Sequence, residues 1–191
     1  MTTRLDLLAR GASSATRAAR FPDDEAIEAS SIVALEALSG RLRPYGRVLT
    51  APTRAARETA AALGFDADVE TALRDCDNGR WRGLALRDVA AREPDAFAEW
   101  MGDPAAAPHG GESLMALIER AGAWLHESLS RDGATLAVMD ASVVRAAIVS
   151  ALGAAPSVFW RIDVAPLSLV RLSGREGRWN LVALGPLAAQ S

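Results

Sequence analysis

The sequence has 191 residues, half of them hydrophobic, and a formal net charge of −3; this length predicts one domain spanning 1–191, or a core carrying an inserted cap. No lysine occurs, and the 21 basic residues are arginines dispersed among acids with no basic stripe or long like-charge run, which argues against a nucleic-acid partner. Cys76 is the only cysteine, so an internal disulfide framework and a cysteine-rich zinc site are both excluded, and a reducing, cytoplasmic setting is expected.

The opening stretch TTRLDLLARG is too short and too charged for the apolar region of a signal peptide and reads as a strand over residues 4–8, ending at Gly11. Residues 25–42 read as a helix, with Ile32, Leu35 and Leu38 at helical spacing. Residues 47–50 form a short buried strand, and a helix follows that Pro52 opens and Gly64 closes. Residues 68–73 suggest a third strand, and Asn78-Gly79 marks a turn. Two short helices at 84–92 and 95–101 precede the loop DPAAAPHGGE. Ser113 caps a long helix that buries Leu114, Leu117, Ile118, Ala121 and Leu125. A strand at 134–139 and a helix at 141–152 come next, and then three strand-like pieces at 160–164, 167–172 and 179–184, the last two joined in a hairpin at 174–177.

Strands alternating with helices predict a three-layer α/β/α sandwich with a mainly parallel sheet and a small helical cap at about 84–112. Ligands of such sheets sit outside the carboxyl ends of the strands, which directs attention to the turns at 9–14 and 140–142. No apolar run approaches the roughly 20 residues of a membrane span.

Five motifs, in order, resemble those of the histidine phosphatase superfamily, the phosphoglycerate-mutase-like proteins. The family's Leu-Val-Arg-His-Gly corresponds to Leu7-Leu8-Ala9-Arg10-Gly11, and its Ser-Pro-x-x-Arg-Ala-x-x-Thr-Ala to Ala51-Pro52-Thr53-Arg54-Ala55-Ala56-Arg57-Glu58-Thr59-Ala60. Its acid motif corresponds to residues 73–83, its Gly-Gly-Glu-Ser to residues 110–113, and its Thr-His-x-x-Val-x-Arg to residues 139–145. The resemblance implies that the nucleophilic histidine is replaced by Arg10, the second histidine by Asp140, and the two phosphate-holding arginines by Ala9 and Ala55. Asp75 stands where the family has its acid, one methylene shorter than the usual Glu.

These changes bear on chemistry. A phosphohistidine mechanism needs a neutral imidazole lone pair, and a guanidinium offers none. Arg10, Asp75 and Asp140 sum to −1, which predicts repulsion of a phosphomonoester dianion. Opposite charges at two neighbouring strand ends predict an Arg10–Asp140 ion pair of bidentate form, with Asp75 free to join it. The binding set expected around the old site is Arg10, Gly11, Ser13, Asp75, His109, Asp140 and Ala141. His109 is expected near the mouth of the pocket, and His126 on the solvated side of its helix.

Other nucleophiles stay open at this point. Asp140 is able in principle to form an acyl phosphate. Asp75-Cys76-Asp77 has the look of a cation loop without the further ligands of an EF-hand, and Ser13 reads as a loop hydroxyl satisfying backbone groups. The five tryptophans and the segment 159–162 read as packing, and Arg145 as a framework arginine. No cofactor or metal is predicted.

Three functions compete: a pseudo-phosphatase that binds a small anion or phosphorylated metabolite and acts through a protein partner, an active phosphatase with an atypical nucleophile, and a structural subunit.

Overall fold

The computed structural model describes residues 3–175 and 177–189. Its elements are β1 (Thr3–Ala9), α1 (Ser14–Arg17), α2 (Ala29–Glu36), β2 (Arg47–Thr50), α3 (Arg54–Ala62), β3 (Asp68–Val69), α4 (Leu86–Arg92), α5 (Pro94–Gly102), α6 (Leu114–Ser128), β4 (Gly133–Met139), α7 (Ala141–Ala151), β5 (Ser168–Arg175) and β6 (Arg178–Pro186). The six strands form one sheet in the order β3-β2-β4-β1-β5-β6, with helices on both sides. β1, β2, β3 and β4 run parallel, and β5 and β6 add an antiparallel edge.

The central strands are nearly continuous in apolar residues because helices cover both faces. Leu5, Leu7 and Leu8 of β1 and Leu136, Ala137 and Val138 of β4 are all buried. Asp6 interrupts this run, fully buried, and is compensated by the Arg43 guanidinium, by the Tyr45 hydroxyl donating at 2.7 Å, and by Arg171 at 3.7 Å. α6 lays Leu114, Leu117, Ala121 and Leu125 into the core and packs on α7. Ser113 caps it as its position predicts, its Oγ accepting from the Ala116 N–H at 3.2 Å.

The register of β1 against β4 places the chemistry. Ala9 pairs with Met139, so the next residues, Arg10 and Asp140, leave neighbouring strand ends side by side. The Arg10 N–H donates to the Met139 carbonyl at 2.9 Å and locks that alignment.

The structure departs from the sequence expectation in several elements. The helix expected over 25–42 is helical only in Ala29–Glu36, since Ile27 bridges to Ser13 and its N–H goes to Glu58. The strand expected over 68–73 stops after Val69, and Glu70 caps a 3₁₀ turn over Thr71–Leu73. Pro52 lies before α3 rather than within it, and Thr53 is the residue at its N-cap. The piece expected as a strand at 160–164 is not one: residues 160 and 161 end a 3₁₀ segment, Pro156–Arg161, started by a proline in its first turn, and residues 162–164 are irregular. α1 is a short helix that the sequence did not suggest. β5 and β6 pair as expected, but the connection at 174–177 includes residue 176, which lies outside the described residues.

Beside the main core, Phe21, Trp81 and Val89 form a second small cluster with the apolar residues of α4 and α5, which fastens these helices over one end of the sheet region.

Candidate functional site

Arg10 begins where β1 ends, and Asp140 is the N-cap of α7. An aspartate at an N-cap ordinarily accepts from the first-turn N–H groups of its helix. Asp140 makes no such bond. Its Oδ1 takes the Arg10 Nε–H at 2.6 Å, and its Oδ2 takes the Thr53 hydroxyl at 3.0 Å. Both side chains of the pair are about nine-tenths or more buried, at 10% and 5% exposure.

The pair is single-pronged, not bidentate. The Arg10 guanidinium turns its Nη1 to the Gly11 carbonyl at 2.9 Å, to Thr16 at 3.1 Å and to Ser13 at 3.3 Å, and Nε is the nitrogen that meets Asp140. Gly11 is itself held from below, its N–H donating to Thr59 Oγ1 at 2.9 Å. Its Cα lies so close to Ser31 that a Cβ there would meet the serine Cβ at 2.8 Å. Arg10 is thus clamped by α1 and by the loop it starts.

Asp75 does not join the ion pair. It lies half-buried beside it, accepting from the Ser142 hydroxyl and from the Cys76 N–H at 2.7 Å. Burial first and the nearby Asp140 carboxylate second push its carboxyl up to about 7 from 3.8. The Ser142 and Cys76 hydrogen bonds and the Arg10 charge act in the opposite direction and are outweighed. Asp77 serves a different purpose, its Oδ1 accepting from the Gly79 N–H at 3.0 Å, so the two carboxylates of the Asp75-Cys76-Asp77 run address different partners. Burial also raises the Cys76 thiol, whose Sγ lies 3.5 Å from the Glu112 carbonyl.

A cleft of about 310 Å³ opens over these groups. Arg10, Asp75, Asp140, Ala141 and Ser142 form its polar end. Gly11 and Ser13 do not line it; Ser13 is fully buried beneath, where its hydroxyl answers Arg10 and Thr16. Ala9 is buried at the end of β1. Ala55 faces a separate void of about 20 Å³ shared with Arg10, Thr53 and Asp140. Arg54 does not reach into either space, as it pairs with Glu58 one turn on at 2.7 Å.

His109 is the clearest displacement from expectation. It does not line the cleft but is buried, its ring edge-on to Trp81 at 5.0 Å. Its Nδ1 accepts from the Gly111 N–H at 3.0 Å, which leaves the proton on Nε2, and burial lowers its pKa. The loop around it is built on backbone contact: a Cβ on Gly79 would meet the His109 carbonyl at 2.1 Å, and one on Gly111 the Asp77 carbonyl at 2.0 Å. His126 is exposed on α6, as its place opposite the apolar face implies.

The cleft walls also correct the reading of the tryptophans and of Arg145. Trp81, Trp124 and Trp179 are core residues, but Trp100 and Trp160 line the cleft, with Phe21 and Phe159. Arg145 lines it as well, its guanidinium carbon 5.7 Å from the centre of the Phe159 ring. With Arg20 and Arg145 added, three guanidinium groups face Asp75 and Asp140, so the expected −1 applies to the strand-end residues and not to the whole cleft. Arg20 is partly answered by Glu25 at 3.6 Å.

Ser142 was not singled out in the sequence as a site residue, nor were Thr16 and Thr53. The available signal was spacing: Ser142 and Arg145 are three apart at the start of α7 and so share one helix face.

Among described residues, no group of three or more histidine, cysteine, aspartate or glutamate side chains is arranged to hold a metal ion, and no helix is long and apolar enough to cross a membrane.

Comparison with known proteins supports the resemblance. The chain is 31% identical over 130 residues to a bifunctional protein of Mycobacterium tuberculosis, covering 64% of this chain and 36% of that protein. It is 33% identical over 88 residues to a glucosyl-3-phosphoglycerate phosphatase of Mycolicibacterium vanbaalenii, covering 44% of this chain and 39% of the relative. The matches therefore span well under half of the length of either relative. In three dimensions it superposes on a putative α-ribazole-5′-phosphate phosphatase of Escherichia coli with a TM-score of 0.85, at 19% identity, over 99% of this chain and 98% of that one. The sequence profile of the histidine phosphatase superfamily (branch 1) matches residues 6–186, and the chain belongs to that family.

Proposed function

We propose that this protein is a pseudo-phosphatase: its phosphoryl site is closed by an ion pair, and the remaining cleft binds a ligand without turning it over. The observation that carries this reading is the 2.6 Å contact between Arg10 Nε and Asp140 Oδ1. A nucleophile at this place needs a lone pair, which a guanidinium lacks, and the Nε and Nη1 donors of Arg10 are already engaged. Arg10 is committed to Asp140, Gly11, Ser13 and Thr16, and Asp140 to Arg10 and Thr53. The binding groups in this reading are Arg10, Asp75, Asp140 and Ala141 at the polar end, under a cap contributed by α4 and α5. A cytoplasmic location follows from the lone cysteine, and a regulatory role through a protein partner is its natural extension.

One observation favours a second reading, an active hydrolase. The Ser142 hydroxyl donates to Asp75, whose raised pKa of about 7 suits a general base at neutral pH. Nucleophile, base and a backbone N–H orienting the base are thereby in one place. The reading as a bare structural subunit has no comparable support.

A turnover assay separates them. Purified protein with p-nitrophenyl phosphate, across neutral and acid pH and with or without Mg²⁺, is expected to release nothing above background. Release that disappears in Ser142→Ala or Asp75→Asn would overturn the silent-site reading and establish the serine as the acting group.

A further inference from the structure

Arg145 stands apart from the other cations of the cleft. Arg10 is ion-paired with Asp140, and Arg20 has Ser14 and Glu25. Arg145, half-buried on the first turns of α7, makes no hydrogen bond or ion pair among the described residues, and its Nε is fully shielded with no acceptor. The Arg20 Nε is shielded in the same way, so what sets Arg145 apart is that its whole guanidinium lacks an acceptor among the described residues, for which an absent ligand is one explanation. The exposed Asp163 acts on it only at long range, and burial holds its pKa below that of an ordinary guanidinium.

The surroundings define what would answer it. The Arg145 guanidinium sits over Phe159, whose ring lies 4.9 Å from Trp160. Trp160 lies 4.8 Å from Trp100, and Trp100 5.6 Å from Phe21. All four rings line the cleft. The result is an aromatic wall with a single unanswered positive charge at one end. We propose that the cleft binds a monocarboxylate with a flat or aliphatic apolar body, its anionic end on Arg145 and its body along Phe159, Trp160, Trp100 and Phe21. This deepens the pseudo-phosphatase reading and rests on it.

Charge and hydration favour this class over a phosphomonoester. A dianion needs several convergent donors and keeps its water, whereas of the three guanidinium groups in the cleft only that of Arg145 is without an ion-pair partner among the described residues, and it stands beside apolar walls. A carboxylate matches the planar fork of one arginine, and its apolar body gains from leaving water. Of the two acids that line the same cleft, Asp140 is neutralised by Arg10.

The test compares acids with their neutral amides on the intact protein. Benzoate, 1-naphthoate and octanoate are titrated against benzamide, 1-naphthamide and octanamide, reading tryptophan fluorescence and calorimetric heat. At least one acid is expected to bind about tenfold or more tighter than its amide, as one charge-assisted contact implies. Arg145→Met is expected to remove that preference while leaving the amides within about twofold, and Arg145→Lys to restore part of it. Inorganic phosphate at equal concentration is expected not to displace the acid. Equal affinity of every acid and its amide, no binding by any acid, or full displacement by phosphate would each overturn the assignment. Should Arg145→Met fail to fold, the acid-to-amide ratio on the unaltered chain still decides. Phosphatase turnover sinks the silent-site reading without touching these ratios, so the two failures are distinguishable.

Discussion

At the scale of single residues, the site is governed by which charges are compensated. Asp140 has a close cation and a hydroxyl; Asp75 has two hydrogen bonds and no adjacent cation. The difference has a consequence for stability. Asp75 titrates near 7 in the folded chain, against an ordinary 3.8. Between those values the native state holds a proton that the unfolded state has lost, so stability falls as pH rises through this window, and above it the full cost of the buried charge is present. Asp75→Asn keeps an oxygen able to accept from Ser142 and Cys76 but removes the charge. It is expected to stabilise the protein at pH 8 by on the order of 1–3 kcal/mol, with the gain vanishing near pH 4. Thermal melts at the two pH values check this. An equal shift at both would mean that the charge is not the cause.

At the scale of elements, placement of the site depends on backbone contacts that carry no charge at all. The strand β1 and its neighbour β4 set Arg10 beside Asp140 through register alone, and the motif order made that adjacency legible before any coordinates. The strands, the long helix with its Ser113 cap and the helix after Asp140 were legible for the same reason: apolar periodicity and capping chemistry are local. The irregular segments were not. The 3₁₀ segment over Pro156–Arg161 reads as a strand because its apolar residues are short and dense, and only tertiary packing against α6 and α7 decides otherwise. His109 reads as a mouth residue because it lies in a loop, yet its position follows from glycines two on either side of a crossing: the 77–79 and 109–111 backbones touch, with Arg80 N–H on the His109 carbonyl at 3.0 Å and Glu112 N–H on the Asp77 carbonyl at 2.7 Å. Glu112 then holds Arg120 by two contacts of 2.8 and 2.6 Å, which ties the crossing to α6. Gly111→Ala drives a methyl group into the Asp77 carbonyl, and neither partner is a flexible side chain. It is expected to cost about 2 kcal/mol or more and to loosen Asp75. Gly110→Ala, where a Cβ would meet nothing but φ is +78°, is expected to cost about 1 kcal/mol. Denaturant melts of the two variants check the order, and a larger loss at Gly110 would refute the crossing as the determinant.

At the scale of the whole molecule, the histidine phosphatase fold is retained, and the proposed silent-site reading raises the question of whether the change it infers is confined to the strand ends. The family match over residues 6–186 and the superposition over 99% of the chain show that the fold of the family is kept over nearly its whole length. In the proposed reading the missing pieces are local: imidazoles at 10 and 140 and arginines at 9 and 55. Two physical obstacles oppose their return one at a time. Arg10→His alone leaves the buried Asp140 carboxylate without its cation, a loss of several kcal/mol in the usual case. Ala55→Arg alone adds a cation beside a void of only about 20 Å³ while Arg10 still fills the adjoining space. Made together, Ala9→Arg, Arg10→His, Ala55→Arg and Asp140→His remove the ion pair, vacate the space held by the Arg10 side chain and return net positive charge to the strand ends. The four-fold variant is expected to hydrolyse p-nitrophenyl phosphate at least about a hundredfold faster than the unaltered chain, the scale that restored electrostatic stabilisation alone supplies. A phosphohistidine trapped by rapid acid-free quench would identify the route. A variant that melts cooperatively yet shows no turnover would mean that divergence has spread beyond these four positions, into Asp75, Ser142 and the cleft walls.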